Sequence, residues 1–332
     1  MSHSNVVKLR FHELYAQSGN ASQAARAVGI SDRTGRNWSK DTVIQFPDFT
    51  EEEDAGEPID DIIDRMSQNF LRRQKAANDR NWFKIKVNET KPYGLLWFGD
   101  PHLDDDGCNW PLVKRHCEIA EQEGVYGCNI GDTTNNWVGR LMAKYADQEC
   151  SKTNADRLAE WFMFDSKVKW LVWLLGNHDL WNNGAHFYKR MCANHVPVID
   201  WQAKFEIHHP SGSRVRIDAS HGRKGTSIYN QLHGTLREAV MGEVADLYVT
   251  GHTHNFAMEM LEVAQRQHVC WLLQLRGYKF FDDYAILRGF PEHRHGSALF
   301  VIIDPSKDAI SPVKICFEDV EEGADYLQFL RR

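Results

Sequence analysis

The sequence predicts an α/β protein with a small all-α unit at its front, on three observations. From residue 93 onward, apolar runs of strand length alternate with amphipathic stretches of helical length. Residues 5–42 instead read as three short helices with no strand between them. Between the two regions Asp48, Glu51, Glu52, Glu53, Asp54 and Glu57 form an acidic stretch with no basic residue among them. The expected division is residues 1–45, an acidic linker and connecting helix at 46–90, and an α/β domain at 91–332.

A chain of 332 residues accommodates this division. A net charge of −7 excludes a protein that coats nucleic acid over its whole surface and leaves room for a local basic face. The cysteines number seven and form no C-x-x-C pair, which points to free thiols in a reducing compartment. Residues 1–10 are polar and charged, unlike a secretory leader, and no apolar run reaches membrane-spanning length. The expected location is cytoplasmic, in a bacterial or phage-infected host cell, with no membrane partner.

In the front unit, Val6, Val7, Leu9, Leu14 and Tyr15 give the first helix an apolar face, and Ser18-Gly19-Asn20 ends it. The second helix is alanine-rich, from 21 to 28. After the turn at Gly29-Ile30-Ser31, Ser31 or Asp32 can cap a third helix, 32–40. The spacing of Ala25, Gly29, Ile30 and Trp38 is that of a helix-turn-helix. Arg33, Arg36, Asn37 and Lys40 on the third helix suit phosphates and base edges, so DNA is the expected partner. Gly35 takes a place where an aliphatic core residue is usual, and is expected to weaken that helix. From 59 to 80, Ile59, Ile62, Ile63, Met66, Phe70 and Leu71 mark a helix that packs through one stripe.

Strands are expected at 93–98, 125–130, 168–175, 204–208, 214–219, 247–250, 269–275, 298–303 and 313–317. Helices are expected at 111–123, 155–167, 185–194 and around 228–243. Five of the strands stop at ligand-type residues: Asp100 and His102, Asp132, Asn177-His178-Asp179, His221, then His252 and His254. In open α/β sheets the carboxyl ends of strands gather at one edge, so these clusters are expected to converge. Oxygen and nitrogen donors without thiolates suit Mn²⁺, with Fe or Zn²⁺ as alternatives. They are too many for one ion, and two ions sharing a carboxylate account for them.

D-x-H, G-D, G-N-H-D, a lone His and G-H-x-H, in that order, resemble the calcineurin-like metallophosphoesterases over residues 93–317. The resemblance implies a four-layer αββα sandwich. It places Asp100, His102 and His254 on one metal, Asn177, His221 and His252 on a second, and Asp132 between them. It implies in-line attack at phosphorus by a metal-bridging hydroxide, with His178 as general acid and Asp179 holding its imidazole. His221 is preferred over His195, His208 and His209 because it ends an apolar strand and precedes a glycine. Gly176 is read as the residue that lets its strand turn sharply.

The superfamily spans several phosphate esters. Phosphatases in it carry G-D-x-V-D-R-G, whose arginine clamps a phosphate dianion, and Asn136 stands at that place here. The stretch from Gly19 to Trp38 resembles the arms of transposases and phage terminase small subunits, which suggests a phage or mobile-element origin. Together these favour a DNA nuclease, similar in catalytic logic to the SbcD-type nucleases. A phosphomonoesterase or a small nucleotide or cyclic-nucleotide hydrolase is the first alternative. A DNA-binding regulatory protein with an inactive metal site is the second. Arg223, Lys224, Arg276 and Lys279 are candidates for flanking phosphates, and Trp137, Trp181 and Tyr278 for base stacking. A homo-oligomer is compatible with the sequence, which does not specify one.

Overall fold

The computed structural model describes residues 5–41, 57–79, 81–225, 227–281, 295–306 and 312–332. The linker predicted from 46 falls outside the described residues as far as residue 56. The chain forms two compact units divided after Leu71.

In the first unit, helices α1 (Asn5–Ser18), α2 (Ala21–Ala27) and α3 (Asp32–Trp38) close on Phe11, Ala24, Ala25 and Ile30. Trp38 packs edge-on to Phe11 with ring centroids 5.6 Å apart. Asn20 caps α2 by accepting from the amides of Ser22 and Gln23, both at 3.1 Å. Ser31, not Asp32, caps α3, accepting from Thr34 at 3.1 Å. The expectation about Gly35 is corrected. It is buried, and a Cβ there would lie 2.7 Å from the Ala25 methyl and 2.9 Å from the Ala21 carbonyl oxygen. The helices approach so closely that only glycine fits, which offsets its cost in a helix. Helix α4 (Ile59–Asp79) runs across the division, and Ile59, Ile63, Met66 and Phe70 on its apolar stripe are exposed.

The second unit is α/β with two mixed six-stranded sheets. The first takes the order β1 (Asn81–Lys86), β6 (Gln202–His208), β7 (Arg214–Ser220), β8 (Leu247–Thr250), β10 (His268–Gln274), β9 (Ala257–Val263). The second takes the order β12 (Val313–Phe317), β11 (Ala298–Ile303), β2 (Tyr93–Phe98), β3 (Val125–Asn129), β4 (Trp170–Leu175), β5 (Val198–Asp200). β2, β3, β4 and β5 run parallel, as do β7, β8 and β10.

Alternation along β2 shows how the layers form. Tyr93, Leu95 and Trp97 join Phe205, Ile217 and Val249 of the first sheet in one buried cluster. Leu96 and Phe98 face the other way, onto Val113 of α5 (Trp110–Ala120), Ala159 of α6 (Lys152–Glu160) and Leu327 of α8 (Val320–Arg331). The first sheet turns Tyr248 and Leu272 toward Ala239 of α7 (His233–Met241). With both faces buried, these strands read as nearly continuous apolar runs.

Four of the elements named above escaped the sequence. β1 carries Lys84 and Lys86 and reads as a tail of the connecting region. β5 has three residues, and β9 is a half-exposed edge. Gly323 interrupts the helical pattern of α8. Among the described residues, no helix is long and apolar enough to cross a membrane.

Candidate metal centre

The carboxyl ends of β2, β3, β4, β7 and β8 bring Asp100, His102, Asp132, Asn177, His178, His221, His252 and His254 to one edge. Two groups of three form there: His102, Asp132 and His178, and Asp132, His221 and His252. Within each group the ligand atoms lie within 4.8 Å of one another, and Asp132 belongs to both. Asp100 flanks them, 3.6 Å from Nε2 of His254 and 3.6 Å from Nδ1 of His221. It also accepts from the His252 amide at 2.7 Å.

Short turns after the strands aim these side chains inward. His102, Asp132, His252 and His254 all take left-handed backbone, with φ of 43°, 52°, 70° and 52°. Each such residue costs on the order of 1 kcal/mol. Gly176, whose φ of −86° is ordinary, does not supply an unusual turn. It supplies space, since a Cβ there would lie 2.1 Å from Oδ1 of Asp132.

The donor set fits divalent ions. His102 is buried, yet neither ring nitrogen has a hydrogen-bond partner among the described residues. Burial, with His178 and His254 nearby, holds its pKa well below the usual histidine range, so its ring is neutral and ready to donate a lone pair. His221 gives its Nδ1 proton to the Ile130 carbonyl at 3.0 Å. Its Nε2 then lies 3.2 Å from Asp132, Asn177 and His252 alike. One ring nitrogen cannot satisfy three neighbours, whereas an ion among them does. A main-chain carbonyl behind a ligating imidazole is the usual support for such a ligand.

Without metal, the charges compete. Burial raises the Asp100 carboxyl to about 8, with His221 opposing and Asp132 adding to the shift. Burial penalises the His221 cation, but Asp132 and Asp100 outweigh it and raise the group to about 9. Burial also works against Asp132, and the surrounding imidazoles, His221 foremost, hold it well below the usual carboxylate range.

His178 donates its amide to Asp132 at 2.9 Å, and its Nε2 lies 3.9 Å from the same carboxylate. The residue expected to orient its ring does something else. Asp179 is buried and accepts from the amides of Gly176, Asp132 and Thr133 at 2.9, 2.7 and 3.0 Å. It braces two strand-end loops. The ring of His178 is held instead by the Asn135 carbonyl. The Asn135 amide in turn donates to Asp104 at 2.7 Å, and its side chain to Asp105 at 2.9 Å. Asn136 donates to the carbonyls of His178 and Trp181 at 2.8 and 3.0 Å, so it ties the loops together.

The alternative histidines lie elsewhere. His208 pairs with Glu206 at 2.9 Å, His209 meets the Tyr93 hydroxyl at 2.8 Å, and His195 is an exposed left-handed residue at a helix end. The expected substrate cations divide. Arg223 binds the Asp218 carboxylate at 2.9 Å, Arg276 is buried and donates to the Lys279 carbonyl at 3.2 Å, and Lys279 meets Asp105 at 3.0 Å. These three are engaged within the fold, while Lys224 is exposed. Tyr278 is fully buried against His116 and is core, not a stacking platform. Trp137 and Trp181 flank His178, with ring centroids 5.4 and 4.2 Å away.

In the first unit, Arg33, Arg36 and Asn37 are exposed on α3, and Lys40 is exposed just beyond it. Their spacing of three and four residues puts them along one line. No protein-family model matches the chain, and no curated protein does.

Proposed function

We propose that this chain is a two-metal phosphodiesterase that hydrolyses nucleic-acid phosphodiester bonds. The observation that carries the reading is Asp132, a single carboxylate common to two clusters of metal-ligand spacing, one with His102 and His178 and one with His221 and His252. Asp100, His102 and His254 would hold one ion, Asn177, His221 and His252 the other, and Asp132 both. Bound there, a pair of divalent ions, Mn²⁺ first among them, supplies Lewis acidity toward phosphate oxygens and activates water. His178 projects at the same edge. Because Nδ1 donates to the Asn135 carbonyl, the ring delivers a proton from Nε2 only as the imidazolium. Trp137 and Trp181 limit water around it.

The layer order of helices, sheet, sheet and helix supports a αββα metallophosphoesterase sandwich. The choice of a diester rests on Asn136, whose amide is spent on two main-chain carbonyls where phosphatases of that family place an arginine. The choice of DNA rests on the exposed row along α3. The test is hydrolysis of a bis-aryl phosphate diester, an aryl monoester and end-labelled DNA with Mn²⁺, beside Asp132→Ala. Diester and DNA cleavage lost in the variant supports the reading. Hydrolysis of the monoester alone replaces it with a phosphatase.

A further inference from the structure

Trp201 stands where the chain passes from one sheet to the other, between the end of β5 and the start of β6. It has left-handed backbone with φ of 62°, a strained state for a bulky side chain. Its amide donates to Leu175 at 3.0 Å, at the end of β4, and its carbonyl accepts from His221 at 2.7 Å, at the end of β7. The indole Nε1 donates to the Gly222 carbonyl at 3.1 Å, which fixes the ring. The ring lies edge-on to His221 and His252, with centroids 5.1 and 5.7 Å away. It nevertheless keeps 36% of its surface exposed.

That exposed surface lines a pocket of about 520 Å³ shared with Gln202, Gly222, Lys224 and Arg237. The volume lies within the range of small-ligand sites. Two other cations in the pocket are engaged. Lys204 sits 2.9 Å from Glu243 and 3.5 Å from Glu238, and Arg223 holds Asp218. Lys224 and Arg237 are exposed and make no ion pair among the described residues. The pocket thus offers a fixed, partly exposed indole and two available cations, and Gly222 in its wall directly follows His221.

We propose that this pocket receives the nucleoside phosphate next to the scissile bond. The base stacks on Trp201 and the adjoining phosphate meets Lys224 and Arg237. This rests on the phosphodiesterase reading for its place in the reaction but not for the binding itself. Stacking tolerates any base, so the pocket selects a nucleotide over a bare phosphate ester without reading sequence.

The test uses the full chain in EDTA, so that neither metal nor turnover is required. Saturation-transfer NMR is recorded with dTMP and, as a control, deoxyribose phosphate. The base protons of dTMP are expected to be saturated, with the signal falling at least fivefold in Trp201→Ala and in Arg237→Ala. Arg237→Ala, a surface change, keeps the test valid should Trp201→Ala fail to fold. Equal saturation in wild type and Arg237→Ala overturns the proposal, as does equal binding of the base-free control. If dTMP binding depends on Arg237 yet no diester is cleaved with Mn²⁺, the pocket stands and the phosphodiesterase reading falls.

Discussion

His178 donates from Nδ1 to the main-chain carbonyl of Asn135, and that bond decides which ring nitrogen faces the candidate metal centre. Nε2, 3.9 Å from Asp132, is left for either of two roles, proton donor or ligand. His178→Ala separates them. As a proton donor its loss lowers the rate by roughly 10²–10⁴-fold and leaves two metals per chain by elemental analysis. A loss of one metal makes His178 a ligand.

Asp132→Ala is expected to reduce both ion sites at once, since both groups use this carboxylate. Titration with Mn²⁺ followed by calorimetry should show neither site at wild-type affinity. Retention of one unperturbed site would refute the shared carboxylate.

Asp179→Ala is expected to act on stability before rate. It leaves three buried amides, of Gly176, Asp132 and Thr133, without their acceptor. At about 1–3 kcal/mol for each buried donor left unsatisfied, the metal-free protein should lose several kcal/mol in urea unfolding. A variant of wild-type stability with a slowed reaction would restore the orienting role.

The metal-free protein should become less stable as pH rises from 6 to 9. His221 is raised from 6.5 to about 9, so its contribution is complete below the unfolded value and is lost through the folded one. Asp100 is raised from 3.8 to about 8, so it stays protonated in place while the unfolded carboxyl ionises, and stability is lost progressively between those two values, the upper part of which lies in this window. Asp132 is depressed, and its contribution fades only below the ordinary carboxylate range. Melting in EDTA should therefore fall across this window, and the increment given by Mn²⁺ should grow. A flat EDTA profile counts against this account.

Arg33→Ala combined with Arg36→Ala should weaken DNA binding across unrelated sequences and flatten the salt dependence by about two phosphate contacts. Fluorescence anisotropy over a salt series reads this. An unchanged slope would make the exposed face of α3 something other than a DNA surface.

The convergence of the candidate ligands was legible because each follows its strand within a few residues, and β2, β4 and β8 are buried apolar runs. The supports were not. The carbonyl of Asn135 carries no side-chain signature, and Asp179 looked like a partner for its neighbour His178 while serving three amides. Arg223 and Arg276 looked like phosphate contacts because charge in a sequence does not reveal what it is buried against. Trp201 was invisible because β5 is too short to mark a crossing between sheets.

That crossing has a mechanical consequence. Asp100, His102, Asp132 and Asn177 follow strands of one sheet, and His221, His252 and His254 follow strands of the other. The candidate centre is a seam between two plates that meet through one buried apolar cluster. A slip of one plate by a single residue would break both halves together, so bound metal would gauge whether the plates have docked in register.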